Sequence, residues 1–183
     1  MLLFVLVNFP LLAFAAGLIG GARGARRAIT RTEAADAWLG PMLFCAAGLA
    51  GIWIGLMHLL AGAFAARLIG WAPSPFQAEV GAGHLAVGVV AALAAWQGFG
   101  FRAAAAIGAA IFLGIVAVAP FVGLAPPRLY GRLDAALTLI APFGTALILI
   151  ALVALRAAAA RREAELRSVG ASVEILPPDR RLG

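Results

Sequence analysis

The chain has 183 residues, of which 64% are hydrophobic and 12% charged, and its mean hydropathy is +1.03. Soluble domains carry about 25% charged residues, so this composition excludes an ordinary soluble domain and predicts an integral membrane protein. The net charge of +6 comes from arginine without any lysine. Because basic residues of membrane proteins mark cytoplasmic segments and contact anionic lipid, the charge predicts the lipid bilayer, and no nucleic acid, as a partner.

The first apolar segment runs from Leu2 to Leu18, and a cluster of arginines follows it. A signal peptide carries its positive charge before the apolar core, so this segment is interpreted as an uncleaved transmembrane helix with its amino end outside. Residues 1–37 then comprise the first helix and a basic cytoplasmic loop.

The second helix is predicted from Trp38, at the inner interface, to about Arg67. At 1.5 Å per residue it would be roughly 45 Å long, enough to cross a hydrocarbon core of about 30 Å. Small residues and one histidine recur along one face at spacings of three and four: Gly48, Gly51, Gly55, His58 and Gly62. Such a stripe lets a neighbouring helix approach closely.

The third helix repeats this pattern with another histidine and ends at Trp96. Its stripe consists of Gln77, Gly81, His84, Gly88, Ala91 and Ala95. The preceding turn predicts how the helix starts: Ser74 caps it, Pro75 takes the first helical position, and Gln77 returns a hydrogen bond to the cap. Trp71 closes the outer end of the second helix. The two helices are expected to form a close antiparallel hairpin.

Two further helices complete the prediction of an all-α membrane protein with five transmembrane helices. One spans about Ala103 to Val118, and the other begins near Asp134, which is placed to cap it, and continues to Leu155. Residues 38–157 are expected to form the four-helix transmembrane core. Residues 158–183 are expected to form a cytoplasmic helical extension and a flexible tail.

The distribution of the arginines predicts the orientation in the membrane. Eleven of the 14 fall in the first loop, the third loop and the carboxyl-terminal tail, whereas Arg67, Arg128 and Arg132 fall on the other side. Basic residues concentrate in cytoplasmic segments, so the carboxyl end is predicted inside. The compartment is predicted to be the bacterial inner (plasma) membrane.

The candidate functional residues within the predicted spans are two histidines. His58 and His84 are expected at the same depth on facing helices, roughly 13 Å below the outer helix ends. Ionisable residues within a span face the bundle interior or a cavity, and they mark candidate sites. The favoured interpretation is a neutral interhelical hydrogen bond. The alternatives are axial ligation of haem and a titratable partner for a quinone or a proton, while a metal site lacks further ligands at that depth.

Glu79 and Arg67 flank the outer turn at similar height and are predicted to form an ion pair between the two helices. In the functional alternative, Glu79, Gln77 and Arg67 form the mouth of a polar pocket above His84. The sequence contains no phosphate-binding loop, GxSxG elbow, HExxH motif or cysteine pair. The protein is therefore expected to be non-enzymatic.

The turn sequence IGWAPSPFQAEVG, preceded by GLMHLLAG and followed by HLAVG, resembles an uncharacterised family of small prokaryotic membrane proteins with an IGWxxSPFQxEVG signature. The resemblance covers about residues 50–145 and implies a membrane protein without an assigned activity. The chain also resembles this family at His58, which follows a glycine, and at Asp134, which is followed by Pro142 near the last helix. It differs at His84, where the family tends to have asparagine, so the resemblance implies that His84 is an exchangeable hydrogen-bonding residue.

A broader likeness is to DoxX-like four-helix proteins, some of which are accessory subunits of quinone-linked oxidoreductases. It implies a DoxX-like bundle for the last four helices. The leading expectation is an accessory or interaction subunit with a membrane-protein partner or a homo-oligomeric assembly. The rival expectations are a redox subunit that binds quinone or haem, and a small-solute or proton carrier, which the lack of an inverted repeat disfavours. No cofactor is expected in the leading interpretation.

Overall fold

A computed structural model describes residues 2–68, 71–119 and 133–174 of the chain, with side chains for 8–68, 71–119 and 139–169. Every regular element in these ranges is a helix. In chain order they are α1 (Leu2–Ala25), α2 (Arg31–Leu60, including a π-helical segment at Met42–Leu49), α3 (Gly62–Leu68), α4 (Phe76–Ala94), α5 (Phe99–Val118) and α6 (Leu133–Glu174). By length and composition, α2, α4, α5 and the Leu139–Val169 part of α6 are the four described helices that could cross a membrane.

Helix α1 packs against the first half of α2 through three glycines. The contacts join Gly17 to Met42, Gly21 to Trp38 and Gly24 to Ala37, with each glycine's ideal Cβ position within 3.1 Å of the partner. Because the paired numbers run in opposite directions, the two helices are antiparallel. The ring centroids of Phe9 and Trp53 are 5.0 Å apart, so the contact continues towards the far end of α2.

Helix α2 begins seven residues before the predicted start at Trp38, because a capping box fixes its first turn. The Thr30 hydroxyl accepts a hydrogen bond from the Glu33 backbone N–H at 3.1 Å, and the Glu33 carboxylate accepts one from Thr30 N–H at 3.3 Å. The π-helical segment follows Pro41, which has no N–H to donate to the preceding turn. At its end Ala50 N–H still donates to the Cys45 carbonyl, five residues back.

The predicted helix from Trp38 to Arg67 is interrupted at Ala61, whose φ of −135° and ψ of 39° are not helical. The hydrogen-bond ladder ends with Ala61 N–H donating to Met57 and resumes with Ala65 N–H donating to Ala61. The intervening carbonyls lose their helical donors, which a membrane protein tolerates only in its interior or next to water. We therefore interpret Ala61 as the outer end of the long part of α2.

Helix α4 also starts differently from the prediction. It begins at Phe76, and no side chain caps it. Ser74 and Pro75 are exposed, and Ser74 contributes only its carbonyl, which accepts from Gln77 N–H at 3.2 Å. Trp71 is half-buried and stacks on Phe76, with ring centroids 6.5 Å apart.

Helix α5 begins before its predicted start, and α6 joins the predicted fifth helix and the predicted helical extension into one helix. Helix α5 starts at Phe99, which the sequence had assigned to a loop, and α6 continues through the charged extension to Glu174. It passes Pro142 without ending. The predicted cap at Asp134 lies outside the described side chains.

The core is filled by apolar side chains. It draws on the start of α2, the end of α4, the start of α5 and the last membrane-level turns of α6. The largest completely buried side chains are Leu39, Met42, Leu43, Thr145 and Leu149.

Candidate functional site

The glycine stripes of α2 and α4 bring the two helix backbones into direct contact. An ideal Cβ at Gly88 would lie 2.5 Å from Ile52 N, and one at Gly55 would lie 2.7 Å from Leu85 N. The other contacts, all within 3.2 Å of the ideal Cβ, join Gly48 to Ala92, Gly51 to Gly88, Gly81 to Leu59 and Gly62 to Gln77. In these contacts a residue with a higher number in α2 meets a residue with a lower number in α4, so the two helices are antiparallel. The two histidines are placed within this contact.

His58, Gln77 and His84 form a cluster of buried polar side chains at the outer end of this contact, with exposures of 8%, 4% and 5%. His58 Nδ1 donates a hydrogen bond to Gln77 Oε1 at 2.5 Å. His84 Nδ1 donates to the Val80 backbone carbonyl at 2.9 Å, one turn back along α4. A neutral imidazole that carries its proton on Nδ1 has a lone pair on Nε2. In that neutral tautomer the lone pair of each histidine is on Nε2.

The two imidazole rings lie close together and nearly parallel. Their centroids are 6.3 Å apart, and their planes differ by 17°. The His84 ring also meets Phe112 of α5 in an edge-to-face contact, with centroids 4.7 Å apart. Three helices thus fix the position of this small polar site.

Gln77 has a different role from the predicted one. Its side chain points to His58 instead of returning to the cap, and its Nε2 is buried without a hydrogen-bond partner. An unsatisfied buried amide group costs about 1–3 kcal/mol. This N–H group is therefore an open donor position beside the two histidines.

Glu79 and Arg67 do not join the cluster. Both side chains are exposed, and the structure records no ion pair between these two described residues. Of the five polar candidates, the structure brings together His58, Gln77 and His84.

Haem does not fit between the two histidines. With both as axial ligands, the macrocycle would lie between α2 and α4. The backbones touch there, since Gly81 and Gly55 leave no space for even one added carbon. Within the described ranges no three His, Cys, Asp or Glu side chains are grouped in a way that could hold a metal ion.

A second polar cluster, at the inner end of the bundle, escaped the sequence analysis. Asp36 at the start of α2 lies 3.7 Å from Arg102 of α5 and 3.3 Å from Arg156 of α6. Arg102 also donates to the Ala95 carbonyl at 2.5 Å, and the Arg156 guanidinium lies 4.2 Å from the Phe99 ring centroid. A signal for this cluster was present in the sequence. One acidic residue, Asp36, borders the apolar part of α2, and one arginine borders the apolar part of each of two other helices, Arg102 in α5 and Arg156 in α6.

These features define a class of protein. The chain is a helical bundle with glycine-mediated helix contacts and an arginine-bearing end, and four of its described helices are long and apolar enough to cross a membrane. A model of a family of unknown function (DUF6790) matches residues 7–162. The chain belongs to this family, which confirms the expectation of a family without an assigned activity. No curated protein and no solved structure matches the chain.

Proposed function

We propose that this protein crosses the bacterial inner membrane five times and acts there as a non-enzymatic accessory or interaction subunit. The observation that carries the proposal is the contrast between the extensive apolar core and the small cluster of buried polar side chains, His58, Gln77 and His84. A DoxX-like bundle formed by α2, α4, α5 and α6, with α1 added beside it, is part of this proposal.

Helix α1 supports the fifth span and the orientation. Its 24 residues are about 36 Å long at 1.5 Å per residue, sufficient to cross a core of about 30 Å. It lies antiparallel to α2 with Arg23 near its inner end. The ion pairs of Asp36 draw the arginine-bearing ends of α5 and α6 to that same end, and the positive-inside rule favours the cytoplasm for it.

The filled core favours an interaction role over transport. In the described part of the chain, the buried polar side chains are His58, Gln77, His84 and Thr145, and large apolar side chains fill the bundle below the site. A carrier needs a polar path that reaches both membrane faces, and these residues do not form one. The close contact of α2 and α4 likewise disfavours a haem-linked subunit.

The orientation is tested by labelling engineered cysteines in intact cells. Ser74→Cys and Gln97→Cys replace exposed residues at opposite ends of α4, in a chain whose native cysteine is removed by Cys45→Ala. We expect a membrane-impermeant maleimide to label Ser74→Cys at once and Gln97→Cys only after the cells are permeabilised. The reverse order would invert the topology, and equal labelling of both would contradict an α4 that spans the membrane.

The accessory role is tested by purifying the tagged chain at native expression level in a mild detergent after cross-linking. We expect a defined assembly with a constant ratio of partner to chain, or a homo-oligomer, that an unrelated tagged membrane protein does not yield. A single monodisperse monomer would contradict an accessory or interaction role.

A further inference from the structure

We propose that His58 and His84 together bind one Cu(I) ion through their Nε2 atoms. The proposal rests on the outer polar site of the proposed function, but not on an accessory role or on the identity of any partner. Its basis is the hydrogen bonding, spacing and number of the groups in the site.

The hydrogen bonds of the two rings are those of metal-binding histidines. A histidine that binds a metal through one ring nitrogen nearly always donates the N–H of the other to a carbonyl or carboxylate oxygen, which fixes the tautomer and the ring orientation. His84 Nδ1 donates to the Val80 carbonyl, and His58 Nδ1 donates to the Gln77 amide oxygen. In both residues the hydrogen-bonded nitrogen is Nδ1, so the nitrogen that would bind a metal is the same one, Nε2.

The ring separation fits a single ion with two nearly opposite ligands. A metal–imidazole nitrogen bond of about 2.0 Å on each side places two ring centroids about 6 Å apart when the bonds are collinear, and about 5 Å apart at a tetrahedral angle. The observed centroid separation is 6.3 Å. The spacing thus matches two-coordinate binding better than tetrahedral binding.

The number and charge of the ligands select the ion. Structural zinc takes four ligands and catalytic zinc three with water, whereas the described residues offer no third His, Cys, Asp or Glu at this place. Imidazole binds a metal as a neutral ligand, and Glu79 and Arg67 are exposed outside the cluster. A monovalent ion costs less to bury among neutral groups than a divalent one, and imidazole is a suitable ligand for copper. Gln77 is a positioning residue that orients His58.

The first measurement is Ag(I) binding, since Ag(I) is a monovalent d10 ion that needs no reductant. It uses the full chain with Cys45→Ala, because a thiol would bind Ag(I), in chloride-free detergent buffer with a tag that lacks histidine. We expect one Ag(I) per chain by equilibrium dialysis. His58→Ala and His84→Ala should each weaken binding by more than about 100-fold, and Gln77→Ala by about 10–100-fold.

Gln97→Ala is the matched control, because Gln97 is an exposed glutamine at the other end of α4. It should leave the affinity unchanged. The methionine sulfurs are the same in every variant, so the difference between variants reports the histidines alone. Equal Ag(I) binding in the parent, His58→Ala and His84→Ala chains would overturn the proposal, as would Zn(II) binding tighter than Cu(I) binding under ascorbate.

A second measurement needs no variant at either histidine. The chain has two histidines, so ¹⁵N-histidine labelling gives signals from these two rings only. We expect Ag(I) to shift both Nε2 resonances while both Nδ1 protons remain. A shift at one ring or at neither would overturn the two-ligand site. Absence of Ag(I) binding in a chain that still purifies with a partner would refute the copper site alone, whereas Ag(I) binding by a lone monomer would refute the accessory role alone.

Discussion

Gly88→Ala is expected to destabilise the bundle by about 3 kcal/mol. The added carbon would lie 2.5 Å from Ile52 N and 2.8 Å from Gly51 C. These are backbone atoms of α2 that cannot rotate away, so the helices must separate along their contact. Overpacking of a well-packed core costs about 1–3 kcal/mol, and this contact belongs at the upper end because no flexible side chain relieves it.

The measurement is unfolding of the purified chain in mixed micelles with increasing SDS, followed by circular dichroism. Gly108→Ala is the control, because nothing lies within 4 Å of its ideal Cβ and alanine favours a helix by about 1 kcal/mol. It should unfold at the same SDS fraction or a higher one. Equal destabilisation by both substitutions would show that the contact between α2 and α4 is looser than described.

Asp36→Asn is expected to destabilise the inner end of the bundle by about 2 kcal/mol. Breaking a buried ion pair costs about 3–5 kcal/mol because it leaves a charge uncompensated. Here the loss leaves two guanidiniums, those of Arg102 and Arg156, close to one another. The exposed fractions of the three side chains, 31%, 19% and 22%, let water screen part of the effect, which lowers the expected value.

The same SDS titration measures this loss, and Glu165→Gln serves as the control because it removes a carboxylate from an exposed position on α6. Adding Arg156→Gln to Asp36→Asn should recover part of the stability, since one unpaired charge is then removed. If the losses of stability caused by Asp36→Asn and by Arg156→Gln alone simply add in the double variant, the two residues are not coupled.

Periodicity in the sequence was sufficient to place the helix pair and its histidines, because it reports which residues share a face. It could not decide how Gln77 is used. The local signal favoured capping, whereas a hydrogen bond to His58, nineteen residues earlier, takes the amide instead. Local and tertiary partners competed for one side chain, and a single sequence does not rank them.

Other features depend on residues that are distant in the sequence. Asp36 meets Arg156 across 120 positions, so no local pattern pairs them. The interruption at Ala61 separates two segments that are both helical, and helix propensity alone predicts one continuous helix. Glu79 and Arg67 were expected to form an ion pair because they flank the same turn at a similar level along the two helices. Long exposed side chains gain little from such a pair in water, and these two remain apart.

The π-helical segment at Met42–Leu49 lies between the inner ion pairs and the outer histidine of α2. A π-helical turn holds about one residue more than an α-helical turn, so this segment could lose one residue by becoming α-helical, whereas one added residue would turn Asp36 by roughly 100° relative to His58. Exchanges among small apolar residues would leave this orientation intact. Single-residue insertions in this segment should therefore be tolerated less well than single-residue deletions or substitutions among small apolar residues.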